Sequence, residues 1–434
     1  MTKPEVVIFW FRRDLRLHDN AGLYYALKKE KAVLPLFIFD ADILEDLQDK
    51  EDARVTFLYD QVKKIYDQLE AKGSSLLTAY GKPLEVYKIL LKEYEIKAVY
   101  TNHDYEPYAI ARDEAVRKLL VSENIKLHTF KDHVIFEKEE IVNETGNPYK
   151  VYTPYKNKWL AKANEFYLKS YPVEKYTRHF YKTSPFKFPS LEKIGFRRTK
   201  IALPPETVSQ GLIRQYDKQR DYPFLDATSR LGIHFRFGTL SIREKAGKAK
   251  QLNEVWLSEL IWRDFFSQLL YHFPQVVTEP FQEKFKKISW RTDQKDFQKW
   301  CEGKTGFPLV DAGMRELNAT GFMHNRVRMV TASFLTKHLL IDWRWGEAYF
   351  AEKLLDYELA SNNGNWQWCA GTGADAQPYF RIFNPITQQQ KFDPDFIYIK
   401  KWLPEYGTEK YPPPMIDHKE ATARAKQAFA VLSK

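Results

Sequence analysis

The chain predicts a doubly wound, mainly parallel α/β sheet domain, then a long linker, then an all-α basic domain. Three observations carry this reading. Over the first 135 residues apolar strand-like runs alternate with amphipathic helical stretches, the pattern of successive βαβ units. From about residue 211 the strand signal fades and a 3.6-residue periodicity replaces it. Between them, residues 170 to about 210 are rich in Tyr, Lys, Arg, Pro and Ser, as a surface connector would be. The implied boundaries are 1–135 for the sheet domain, 136–210 for the linker and 211–434 for the helical domain.

In chain order, VVIFWF (6–11), VLPLFIF (33–39), SLLTAY (75–80) and IKAVYT (96–101) read as buried strands. RVTFLYDQVKKIYDQLEAKG reads as an amphipathic helix that stops at Gly73. No G-x-G-x-x-G follows the first strand, which argues against an ordinary dinucleotide site in this sheet. Further on, Asn253 is placed to cap a helix through WLSELIWRDFFSQLLYHF that ends before Pro274, and MHNRVRMVTASFLTKHLL reads as another helix. Ser241 with Glu244 has the spacing of a capping box. Asn362, Asn363, Gly364 and Asn365 form a polar, flexible run ahead of Trp366 and Trp368. Such a stretch reads as an irregular loop or as a wall against which something flat and aromatic sits.

Of 434 residues 44% are hydrophobic and 29% charged, and no run approaches the ~18 apolar residues of a membrane span. Arg12 and Arg13 interrupt the first apolar stretch at once, and no signal-peptide cleavage site follows. Cys301 and Cys369 are too few for a disulfide framework or a zinc site. The expectation is a cytoplasmic protein without a metal. Residues 1–150 hold 23 Lys and Arg against 27 Asp and Glu, so the formal charge of +10 belongs to the later part of the chain. That asymmetry points to a polyanionic partner, with nucleic acid the commonest.

Three constellations could carry chemistry. In the helix after Asn253, the spacing puts Glu259, Trp262, Arg263 and Phe266 on one face, with Trp256 a turn before. This is either a partly exposed face with a Glu259–Arg263 pair or a cavity wall in which Glu259 hydrogen-bonds a ligand and Trp262 stacks on it. Thr228, Ser229 and Arg230 precede a helical pattern and suit either a plain N-cap or a pyrophosphate. Asn325 lies beside Arg326 and Arg328, of which at most one can point inward, and His324 reads as a core histidine.

FWFRRDLRLHDN, YKVYTPYKNKW, QRDYP, TSRLGIHFRFGTLS, VWLSELIWRDFF, and the long ordered block from EGKTGFPLVDAGMRELNATGFMHNRVRM through DYELASNNGNWQW to DAQPYFRIFNP together resemble the DNA photolyase/cryptochrome family. The likeness is strongest to the class I cyclobutane pyrimidine dimer photolyases and spans nearly the whole chain. It implies an FAD in the helical domain, held by Tyr216, Thr228, Ser229, Arg230, Leu231 and Gly232, with Trp256 near it. Arg328, Asp356, Tyr357, Glu358 and Asn362 would line the flavin pocket, Asn362 by the ring nitrogen that is protonated in the reduced states. It implies light-driven repair of pyrimidine dimers in damaged DNA. There Glu259 and Asn325 would hydrogen-bond the flipped bases, Trp262 and Trp368 would wall them, and Arg263 and Met329 would lie nearby. Trp366, Trp343 and Trp290 match the family's electron chain.

The resemblance has departures. Glu358 stands where the family usually has Asp, and Phe322 replaces a common Trp. Tyr108, Ala109 and Val277 lack the polar groups that clamp folate, whereas Arg13, Asp104 and Glu106 resemble deazaflavin-binding members. A deazaflavin-type antenna is therefore favoured over folate, an empty antenna site being the other outcome. The family also implies a monomer with no obligate protein partner. A cryptochrome photoreceptor on the same fold is the alternative function. A (6-4) photolyase would carry a histidine pair around Asn325.

Overall fold

The computed structural model describes residues 2–430 and divides the chain into two compact units, neither a continuous segment. The first unit comprises residues 1–137, 160–207 and 231–248, and the second 138–159, 208–230 and 249–434.

The first unit is built on a five-stranded parallel sheet in the order β3-β2-β1-β4-β5, the strands being β1 (Glu5–Phe11), β2 (Val33–Asp40), β3 (Leu77–Gly81), β4 (Glu95–Asn102) and β5 (Lys126–Phe130). Four helices make the crossovers: α1 (Ala21–Lys29), α2 (Ala53–Glu70), α3 (Pro83–Glu93) and α4 (Pro107–Ser122). Period-two alternation sends Val7, Phe9 and Phe11 to one face with Leu23, Val62 and Ile65, and Val6, Ile8 and Trp10 to the other with Tyr87, Leu90 and Val116. The sheet is thus covered on both faces, as the apolar runs require. The sequence shows four strands but not β5, because KLHTF lies at the sheet edge with Lys126 and Thr129 exposed and has no apolar run. Residues 160–207 are not merely a surface connector: Val173, Phe180, Leu191 and Phe196 are buried in the sheet's own core.

A buried charge network ties the loops of this unit. Arg16 donates to Asp132 at 2.7 Å, and Arg243 donates to Asp132 at 2.7 Å and to Asp19 at 3.0 Å, all four side chains being nearly inaccessible. Ser241 donates to Asp19 and caps the following turn by accepting from the Glu244 N–H at 3.1 Å. The second half of the expected capping box does not form, because the Glu244 carboxylate turns to Lys248 at 2.6 Å.

The second unit is helical: α5 (Glu254–His272), α6 (Pro308–Thr320), α7 (Asn325–Ser333), α8 (Trp343–Lys353), α9 (Leu359–Ala370) and α10 (His418–Ala430) are its longer helices. Asn253 caps α5, its side chain accepting from the Val255 and Trp256 N–H groups at 3.0 and 3.1 Å. α7 runs into a π-helical turn over Phe334–His338. The NNGNWQW stretch is not a loop: it is the body of α9, and Asn362, Asn363 and Trp366 are buried. Its asparagines are tolerated because each finds a partner. Asn363 donates to the Val276 carbonyl at 2.9 Å, Asn365 to the Ser361 carbonyl at 2.8 Å, and Asn362 to Glu347. Gly364 is required by packing, since a Cβ there would overlap the Phe266 ring of α5, and a Cβ on Gly346 of α8 would overlap Trp366.

Two outcomes follow from this packing. Burial alone would raise the Asp132 carboxyl, yet Arg16 and Arg243 bring it down to about 2. A depressed carboxylate stabilises the fold above the unfolded value of about 4, and the contribution is lost as pH falls through about 2. Asp132→Asn should cost about 3–5 kcal/mol at neutral pH, because it leaves two buried guanidinium groups short of charge, and should flatten the acid limb of stability measured by chemical denaturation. Gly346→Ala should cost about 1–3 kcal/mol by overpacking, read as a lower midpoint with an unchanged denaturant slope.

Candidate functional site

The second unit holds a cavity with about 550 Å³ of space not filled by atoms, continuous with solvent. α9 contributes Asn362, Asn365, Trp366 and Cys369, residues at helical i, i+3, i+4, i+7 spacing. α7 contributes Asn325, Arg328, Met329 and Ala332, again one helical stripe. Phe350, Leu354, Asp356, Tyr357, Glu358 and Ser361 complete the wall.

Its polar edge is organised by ion pairs. Arg328 donates to Asp356 Oδ2 at 2.9 Å and to the Met323 carbonyl at 2.7 Å. Asp356 Oδ1 is buried with no protein partner among the described residues. Arg263 on α5 reaches Glu358 at 3.1 Å, and the Ser361 hydroxyl donates to Glu358 at 2.9 Å. Asn362 donates to the Glu347 carboxylate at 2.8 Å and to its backbone carbonyl at 3.1 Å. Burial raises the Glu347 carboxyl, and the Asn362 hydrogen bond lowers it in part. An apolar wall of Phe350, Leu354 and Trp366 facing an edge with an unsatisfied carboxylate oxygen suits a flat heteroaromatic ligand that donates hydrogen bonds.

A second cluster gathers around Glu259. Its partner is Arg220, not Arg263, and the Arg220 guanidinium also lies 5.5 Å over the Tyr216 ring. Burial raises the Glu259 carboxyl and Arg220 lowers it, leaving it above the ordinary value. Trp262 stacks on Tyr152 with ring centres 3.5 Å apart and planes at 6°, and the Phe266 ring lies 5.4 Å from it. Arg326 pairs with Asp221 at 2.7 Å and covers the Phe392 ring, so Arg326 and Arg328 diverge as their spacing requires. Asn325 is exposed and lies 3.9 Å from the Met329 sulfur. Trp368 is half-buried, and no ring stacks on it among the described residues.

Thr228 and Ser229 lie in a loop and cap nothing: the short helix Gly232–Phe237 has Leu231 at its N-cap without a side-chain bond. Neither hydroxyl has a protein partner among the described residues, which leaves both free for a ligand. Arg230 has φ +50°, pairs with Asp226 at 3.2 Å and lies 4.6 Å over Phe322. Leu231 and Gly232 belong to the first unit, whereas Tyr216, Thr228, Ser229, Arg230 and buried Trp256 belong to the second. Trp343 and Trp366 are buried in one core cluster and Trp290 packs against it, but the three indoles do not stack on one another. His324 is more than a core histidine: it caps α7 by accepting from the Arg326 N–H at 3.2 Å, and burial with Arg328 nearby pushes it down to about 4.

In the first unit Arg13, Asp104 and Glu106 converge. Arg13 lies 3.2 Å from Asp104 and 2.8 Å from Glu106, and Arg236 adds 3.1 Å to Glu106. Burial would raise the Asp104 carboxyl, but Arg13, His133, Arg12 and Arg112 hold it well below the usual range. These residues follow β1 and β4, where the strand order reverses and α/β sheets form their ligand crevice.

No local pattern in the sequence marks Arg220, Tyr152 or Glu347 as a site residue. Arg220 and Tyr152 sit inside recognised motifs, but only the fold shows what they touch.

Residues 7–175 match the family model described as DNA photolyase, and residues 256–409 the one described as FAD binding domain of DNA photolyase. A curated relative from Halobacterium salinarum named deoxyribodipyrimidine photo-lyase is 36% identical, with 98% of each chain covered. Among solved structures, a bacterial class III photolyase from Agrobacterium tumefaciens superposes with a TM-score of 0.87 at 32% identity, covering 100% of this chain and 98% of that one. A cryptochrome from Synechocystis superposes with a TM-score of 0.86 at 25% identity, covering 99% of this chain and 100% of that one.

If Arg220 keeps Glu259 ionised, then Arg220→Gln enlarges the protonated fraction of Glu259 near neutral pH. The checking measurement is the infrared carbonyl band of a protonated carboxyl, which should grow in Arg220→Gln and vanish when Glu259→Gln is added.

Proposed function

Because this chain belongs to the DNA photolyase family and is a deoxyribodipyrimidine photo-lyase by its relatives, we propose that it repairs cyclobutane pyrimidine dimers in DNA under blue light, with FAD as its cofactor. The observation that carries this reading is α9. One helix gives Asn362 and Trp366 to the cavity and presents Trp368 off that stripe, with no ring stacked on it among the described residues.

The residues present fit the cofactor. The unsatisfied Asp356 oxygen, the Arg328–Asp356 pair and Asn362 supply a polar edge, and the free hydroxyls of Thr228 and Ser229 with Arg230 supply groups for a pyrophosphate. Tyr216, Trp256, Tyr357 and Glu358 complete the set in this unit. FAD, when bound and reduced, would lend under light the electron that splits the cyclobutane ring and would take it back once the two pyrimidines have separated. The protein's part is position and electrostatics.

The dimer is flipped from the duplex into the site, a step made easier because the lesion already weakens stacking and pairing. Glu259 and Asn325 hydrogen-bond its bases, Trp262 and Trp368 exclude water from its faces, and Met329 lies beside it. Tyr152 fixes the Trp262 plane from behind, so that indole works as a rigid wall. Arg263, held by Glu358, couples the lesion side of α5 to the cavity. Basic side chains of the second unit hold the flanking phosphates, which makes binding salt-dependent and nearly independent of sequence. Trp366, Trp343 and Trp290, gathered in and against one core cluster, would carry electrons inward to a bound flavin. In the first unit, the crevice bearing Arg13, Asp104 and Glu106 takes a second, deazaflavin-type chromophore.

The purified protein should release flavin on heating and should repair thymine dimers only in the light. Colourless protein would sink the assignment, and flavin without repair would favour a cryptochrome photoreceptor. Trp366→Phe should lower photoreduction at least tenfold while leaving repair by chemically reduced protein within about twofold, as scored by flash photolysis and a dimer-repair assay. Equal loss of both activities would contradict the electron-carrying role.

A further inference from the structure

Lys337 is a buried lysine that the repair reaction does not use. It lies in the π-helical turn Phe334–His338 and is 1% exposed. Its Nζ donates to the Ala370 carbonyl at 2.6 Å, at the C-terminal end of α9, and stands 3.4 Å from the centre of the Phe429 ring. Among the described residues no carboxylate pairs with it. The same Phe429 ring meets Trp290 edge to face at 5.8 Å and 80°, and Tyr379 stacks on it at 6.0 Å. One phenyl ring therefore touches both an uncompensated buried amine and Trp290, which itself is half-buried.

The groups around Lys337 are few. α9 brings the Cys369 thiol, which burial pushes up to about 12, so it stays neutral. The turn brings His338, paired with His418 at 2.8 Å and lowered to about 3, and α10 brings Arg424, bonded to the His338 carbonyl at 2.7 Å. Tyr379 is the remaining titratable neighbour, reached through Phe429. None of these supplies negative charge near neutral pH. Burial pushes Lys337 down to about 7, so both of its protonation states are populated where the protein works.

We propose that Lys337 is a proton-operated brake on electron delivery through Trp290. The inference rests on the electron-carrying role of Trp366, Trp343 and Trp290 proposed above. When an electron leaves Trp290 toward the interior, the indole becomes a radical cation, and an ammonium one ring away opposes that charge. A unit charge within roughly 10 Å at an effective dielectric of about 20 disfavours the oxidised indole on the order of tenfold. Loss of the Lys337 proton to solvent removes the opposition, and the radical persists until an external thiol donates the replacing electron. The coupling is reciprocal, so oxidation of Trp290 also favours proton release from Lys337.

The test is flash photolysis of the flavin-loaded protein with a thiol present, between about pH 6 and 8.5. Wild type should show a photoreduction yield and a tryptophan-radical lifetime that rise on the order of threefold to tenfold as pH passes through about 7. Lys337→Met should hold the high-pH level throughout, and a wild-type pH profile in that variant overturns the brake. Trp290→Phe separates the two readings: unchanged photoreduction there sinks the electron chain and the brake with it, whereas lost photoreduction leaves the chain standing and the Lys337→Met profile decisive. A direct readout in the dark is the NMR titration of the Lys337 side chain in unmodified protein. A midpoint near 7 supports the proposal, and one at the ordinary lysine value of about 10.4 overturns it whether or not the variant folds.

Discussion

The close approach of α9 to its two neighbours is the constraint on which the rest of the helical unit depends. Gly364 lets the Phe266 ring of α5 lie against the α9 backbone, and Gly346 lets Trp366 lie against α8. Neither glycine has a left-handed backbone, so neither is there for conformational freedom. Both are there for volume, and interiors packed at crystal density leave no room for a methyl group at such a contact. Because Trp366 is wedged in this way, its ring plane is fixed by packing, with Phe350 at 4.9 Å and Trp300 at 6.1 Å. A fixed indole beside the cavity needs no reorganisation when a ligand arrives.

Charge is handled in two ways across the molecule. Where the task is to hold a fold, buried charges are paired and shared, as in the Arg16, Arg243, Asp19 and Asp132 network. Such a network is not a large net source of stability, but it penalises any arrangement that leaves one member alone. Elsewhere in the helical unit the pairing is looser. Among the described residues, Asp356 keeps one oxygen unsatisfied, Glu259 is tied to a single arginine that also rests on a tyrosine ring, and Lys337 has no counter-charge. Perturbed and incompletely satisfied groups concentrated in one unit are what a site, rather than a scaffold, requires.

Much of this was legible in the sequence, and the parts that were not share a cause. The buried strands announced themselves by unbroken apolar runs, but β5 did not, because an edge strand alternates weakly and its Lys126 and Thr129 face water. The stripe on α5 was visible from spacing, yet spacing offered Arg263 as the partner of Glu259. The fold instead delivers Arg220 from 39 residues earlier and sends Arg263 to Glu358. Periodicity reports which side of a helix faces inward, not what a distant segment places there. For the same reason α9 read as a flexible run: four residues of poor helix propensity outweighed tertiary partners for Asn362 and Asn363 that no local pattern encodes.

Seen as a helix, α9 also explains why two tryptophans two residues apart should differ so much. At 3.6 residues per turn, positions 366 and 368 diverge by roughly 200° about the axis, so they face nearly opposite ways. Trp366 joins Asn362, Asn365 and Cys369 along the cavity, while Trp368 stands off that stripe. A strand would also separate neighbours, but it would put residues two apart on the same face. Only helical geometry lets positions two apart stand one buried along the cavity and the other half-buried away from it. The same geometry makes the two placements inseparable by register: rotating α9 to move one indole moves the other, and the glycine contacts with Phe266 and Trp366 forbid the rotation.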